Sequence, residues 1–112
     1  MDLIRNANWI NVTTVIDKLA VEILLDELDI GEAETIVLSK EISADLVLMD
    51  EKKGRRKVRQ LGLKLSGTIG ILLRAKEEKL IKQIKPELDL LLANRFHLSE
   101  SLRKDALRLA GE

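Results

Sequence analysis

Three acids stand where they could do chemistry. Glu32 opens a helical stretch in LDIGEAETIVLSKE, and Asp50 with Glu51 closes the apolar run of ADLVLMDE. Ligands of parallel-sheet proteins gather at the carboxyl ends of strands, and Asp50 falls at such an end. A helix packed across that strand would bring Glu32 to the same crevice. Carboxylates converging there suit Mg²⁺ or Mn²⁺, hard cations that prefer oxygen ligands and keep several waters. Each acid also has a purely structural reading. Glu32 and Glu34 in a first helical turn favour the helix dipole, and Asp50 can simply end a strand.

A second group follows at once. Lys52, Lys53, Arg55, Arg56, Lys57 and Arg59 make a basic run able to meet phosphates, or to form a solvated helix face. The chain's formal net charge is zero, yet residues 1–51 carry twelve Asp/Glu against three Lys/Arg, and residues 52–112 carry seven against sixteen. Such a split fits an acidic site facing a basic track, or surfaces that pair between subunits. One Trp and one Phe leave little material for stacking on single-stranded bases. Trp9 and Phe96 read better as core or interface anchors. His97, the single histidine, has no nucleophile that sequence can place beside it.

The elements that must position these residues are short. Residues 7–15 (ANWINVTTV) are rich in β-branched side chains and predict a strand. Asp17 caps a predicted helix to about Leu28, with Leu19, Ile23, Leu24 and Leu28 on its inner face. Gly31 separates it from a helix over 32–42, with Ala33, Ile36 and Val37 inward. The run at 46–49 (LVLM) lacks alternation, which predicts a strand covered on both faces. A basic helix follows Gly54 and ends at Gly62. A short strand at 63–65 leads into SGTIG, which lacks the full phosphate-loop pattern; Gly67 and Gly70 there predict tight strand-to-helix packing. A helix over 68–79 comes next. Pro86 suits the first turn of another, with Leu88, Leu91 and Leu92. Ser99 caps the last, with Leu102, Ala106 and Leu109 inward and Gly111 closing it. Helices alternating with short buried strands make an α/β protein with a small, mainly parallel sheet flanked by helices.

At 112 residues, with 46% hydrophobic and 34% charged residues, the chain is expected to form one soluble domain, with a helical tail over about 86–112. The absence of cysteine excludes a disulfide framework and a thiolate site. No secretory leader or membrane-length apolar run is evident, so the expected location is the cytoplasm.

In order along the chain, NWINV, LDIGEAETIVLSKE, ADLVLMDEKKGRR, LKLSGTIGILLRAKEEKLI and FHLSESLRKDALRLAGE resemble the later part of a PIN domain, as in VapC-like ribonuclease toxins and their uncharacterised relatives. The resemblance implies a three-layer, RNase H-like fold. It also implies that Glu32 and Asp50 are the third and fourth acids of a catalytic, metal-holding set, and that Arg55, Arg56 and Lys57 of the DE-x-x-G-R-R pattern bind nucleic acid. Such domains open with a strand ending in the first acid, and a second acid follows. This chain begins after both, so the expectation is a truncated domain with weak or absent endoribonuclease activity and weak Mg²⁺ or Mn²⁺ binding. RNA, an antitoxin-like protein and a second copy of the chain, as a homodimer or higher oligomer, are the partners implied. Two alternatives stand beside this: a non-catalytic binding or oligomerisation module, and a receiver-like domain phosphorylated on Asp50. The last needs an early acidic pair that MDLIRNANWI does not offer.

Overall fold

The computed structural model describes residues 6–112. It comprises two compact units, the first holding residues up to 47 with 51–65, the second residues 48–50 with 66–112. Among the described residues the class is α/β, as expected. Helices α1 (Lys18–Leu24), α2 (Ile30–Glu41), α3 (Lys52–Gln60), α4 (Thr68–Glu77), α5 (Lys85–Ala93) and α6 (Glu100–Leu109) accompany strands β1 (Val47–Leu48) and β2 (Leu65–Ser66). The sheet is parallel and has two strands. Its ladder advances in step, Val47 N–H donating to Lys64 O and Met49 N–H to Ser66 O, each at 2.9 Å.

In the first unit, no strand forms over 7–15; the segment has one turn, with Ile10 N–H donating to Ala7 O. β-Branched composition favours a pleated surface only where a neighbouring strand supplies the ladder, and no strand lies beside it among the described residues. Asp17 does cap α1, its Oδ1 accepting from Ala20 N–H at 3.0 Å. The helix stops at Leu24, and its inner face is not the expected one. Val21 and Leu28 are buried, whereas Leu19 and Ile23 are exposed. The stretch carries two apolar stripes, and packing on α2 uses only one.

Helix α2 starts two residues earlier than the spacing predicts, because Asp29 caps it. Asp29 Oδ1 accepts from Glu32 N–H at 2.8 Å, and Glu32 Oε1 accepts from Asp29 N–H at 3.1 Å, a reciprocal capping box. Ala33, Ile36 and Val37 are buried as predicted. Glu41 then ties the far end of α2 to the start of α1, accepting from Ile16 N–H at 3.0 Å and Asp17 N–H at 2.8 Å. Helix α3 starts before Gly54 rather than after it, and buries Gly54 and Val58. Gly62 follows with φ +72°, the left-handed conformation that ends a helix at little cost only for glycine.

The second unit packs α4, α5 and α6 around Ile84, Leu88 and Ala106, with Ile69, Leu72 and Leu73 against them. Pro86 sits in the first turn of α5, and Ser99 caps α6 by accepting from Leu102 N–H at 3.1 Å. Of the predicted inner face of α6 only Ala106 is buried; Leu102 and Leu109 are exposed. Gly70 packs against Ser66, whose hydroxyl leaves no room for a Cβ there. The predicted strand at 46–49 is likewise not covered on both faces. Val47 and Met49 are buried, while Leu46 and Leu48 are each about half exposed.

Candidate functional site

Asp50 is held by the helix that follows it in its own unit. Its Oδ1 accepts from Thr68 N–H at 2.8 Å and its Oδ2 accepts from Thr68 Oγ1–H at 2.7 Å. The reason lies in the local sequence. The residue at the N-cap of α4 is Gly67, which has no side chain to satisfy the free N–H groups of the first turn. A carboxylate from the end of the neighbouring strand does so instead, and its charge suits the helix's positive end. Glu32 belongs to the first unit, half-buried, with one oxygen engaged in the capping box. Each unit thus contains one of the two candidate carboxylates.

The acidic chemistry can be tested against this geometry. Among the described residues, neither unit gathers three His, Asp or Glu side chains that could hold a metal ion. Both Asp50 oxygens already receive hydrogen bonds. Within either unit a Mg²⁺ or Mn²⁺ ion would thus have fewer than three such side chains to hold it, and water or phosphate oxygens would have to complete its shell.

The basic residues are organised differently. Lys52, Lys53, Arg55, Arg56, Lys57 and Arg59 all lie on α3, a nine-residue helix held in place by Val58. Lys52, Lys53 and Arg59 are exposed and enter no ion pair among the described residues. Lys57 is engaged, its Nζ 2.6 Å from Glu27 Oε2. That bond, helped by the charge of Arg56, holds the Glu27 carboxyl below the usual carboxylate range. Asp26, Glu27, Lys53, Arg56, Lys57 and Gln60 line a cleft of about 310 Å³ in the first unit. Of these, the sequence singles out Lys53, Arg56 and Lys57 but not Asp26, Glu27 or Gln60. The helical register makes Lys53, Arg56 and Gln60 neighbours at spacings of three and four, a signal that was present in the sequence.

No helix of the described residues is long and apolar enough to cross a membrane. No match was found among curated proteins or among solved structures. A family model does match: residues 2–112 fit DUF3368, described as a PIN domain. That match spans the acidic helix start, the strand ending at Asp50 and the basic helix after it. The chain belongs to the PIN-domain family.

Proposed function

We propose that this PIN domain binds RNA along its phosphate backbone through α3, with weak or no cleavage of its own. The observation that carries the reading is that Lys52, Lys53 and Arg59 are exposed on α3, a helix fixed by a buried Val58, and enter no ion pair among the described residues. Family membership supplies the nucleic-acid context. The commitment of Asp50 to Thr68 supports the low activity, since that carboxylate caps a helix in its own unit. Arg55, Arg56, Lys53 and Arg59 are the contacts we assign. Lys57 joins them when phosphate displaces Glu27. Phosphate contacts position a chain without reading its bases, which agrees with the scarcity of aromatic residues.

Binding of a single-stranded RNA is measured against salt concentration, with and without Mg²⁺. The expected log–log slope is about −2 to −4, since each phosphate contact on a single strand adds about −0.7. Lys53→Ala and Arg56→Ala should each flatten it by about 0.7. RNA should stay intact over the course of the titration. Salt-independent binding, or none, would defeat the reading. Rapid metal-dependent cleavage lost in Asp50→Asn would overturn its second half.

A further inference from the structure

The cleft of about 310 Å³ in the first unit has two walls of unlike chemistry. Helix α3 supplies Lys53, Arg56, Lys57 and Gln60, and the turn after α1 supplies Asp26 and Glu27. That turn is anchored. Glu27 N–H and Leu28 N–H both donate to Leu24 O, at 3.1 and 3.0 Å, and the Leu28 side chain is buried. The Glu27–Lys57 bond of 2.6 Å ties the two walls together. Asp26 stands apart from this pairing: it is exposed, and its carboxylate enters no ion pair among the described residues. An ionised carboxylate only accepts hydrogen bonds, and its charge opposes that of a bare phosphate entering the cleft. Its place opposite three cations therefore favours a ligand that brings a hydrogen-bond donor along with its phosphate.

We infer that the cleft seats one nucleotide of an RNA strand, and that Asp26 accepts a hydrogen bond from its ribose 2′-hydroxyl. That assignment rests on α3 being the RNA-binding element, and adds to it the group that tells RNA from DNA. Lys53 and Arg56 take the phosphate, and the carboxylate on the facing wall takes the sugar. Size agrees, since the cleft lies at the lower end of the roughly 300–1,000 Å³ of small-ligand sites. It has room for one nucleotide unit and none for a duplex. The donor is a sugar hydroxyl rather than a base edge, because no aromatic side chain among the described residues lines the cleft to hold a base in a fixed plane. The sugar lies next to the phosphate whatever the base, and its 2′-hydroxyl is the donor that DNA lacks. Glu27 does not serve in this way while Lys57 occupies it. Asp26 does.

The full chain is titrated at fixed salt with uridine, deoxyuridine and 2′-O-methyluridine strands of equal length, and with the adenosine and deoxyadenosine pair. Wild type should bind each ribose strand about tenfold more tightly than its deoxy counterpart, the effect of one hydrogen bond to a charged group. The 2′-O-methyl strand keeps the oxygen but loses the donor, so it should bind no better than the deoxy strand. These comparisons need no variant. Asp26→Ala, at an exposed position, should fold as wild type and bring the ribose-to-deoxy ratio to about one. Asp26→Asn keeps an oxygen acceptor and should retain part of the preference. Asp45→Ala removes an exposed acid that does not line the cleft, and should leave the ratio unchanged. Equal binding of ribose and deoxy strands, with the salt slope intact, would overturn the inference and leave RNA binding by α3 standing. A preference that follows the base, or a ribose preference that survives Asp26→Ala, would overturn it as well. Failure to bind any strand would defeat RNA binding by α3, and the role of Asp26 with it.

Discussion

The two units handle apolar residues in opposite ways. In the second, Leu88 and Ile84 are fully buried, and the far end of the chain returns to close the structure over them. Glu112 accepts from Ile84 N–H at 2.7 Å and Lys85 N–H at 3.1 Å, supplying the cap that Ile84 itself does not provide for α5. Lys76 holds the same carboxylate and also donates to Ala110 O. In the first unit, α1 has one covered face, with Val21 buried, while Leu19 and Ile23 on the other remain mostly exposed. An apolar side chain therefore stabilises the second unit by packing inside it, but many in the first can contribute only when something else covers them.

The largest expected effect tests that contrast directly. Leu88→Ala should destabilise the second unit by about 2–5 kcal/mol, because it leaves a cavity where no solvent reached before. Denaturant titration reads this. Leu19→Ala, equally apolar by composition, should change stability by no more than about 0.5 kcal/mol, because that side chain is mostly exposed. A cost at Leu19 as large as that at Leu88 would break the comparison.

Next in size is Asp50→Ala, which removes the side-chain cap at the start of α4 and should cost about 1 kcal/mol. Asp50→Asn keeps an oxygen acceptor and should lose less. If Asp50 were chiefly a metal ligand, Mg²⁺ would stabilise the wild type against heat and leave Asp50→Ala unaffected; we expect no such difference.

The terminal clasp gives a pH dependence. Burial works against ionisation of Glu112, yet the Ile84 N–H, the Lys76 ammonium and the Lys85 N–H together hold its carboxyl below the ordinary 4.5. A carboxyl depressed on folding adds stability that is complete above its unfolded value and lost as pH falls through the folded one. Thermal stability should therefore decline below about pH 4.5, and Glu112→Gln should flatten that part of the curve. Asp89, held down by Lys85 and Arg103, acts in the same direction and leaves a residual slope. The smallest effect is expected at Glu27→Gln. Breaking one exposed pair with Lys57 should leave stability nearly unchanged. It should nevertheless strengthen RNA binding, because it frees Lys57 and removes a charge that repels phosphate.

Much of this organisation can be traced to neighbours in the chain. Asp17, Asp29 and Ser99 cap helices three residues away, and Gly62 and Gly111 take positive φ where the helices end. Such features are legible because both partners lie within one turn, and their geometry follows from side-chain reach and backbone sterics alone. The basic face of α3 is legible for the same reason. What each acid does is not, since that depends on groups brought near by packing. Asp50 meets Thr68 across 18 residues, Glu41 meets Ile16 across 25, and Glu112 meets Ile84 across 28. Nor could periodicity choose between the two apolar stripes of α1. Both satisfy the 3.6-residue repeat, and burial of Val21 rather than Ile23 was decided by the surface α2 presents.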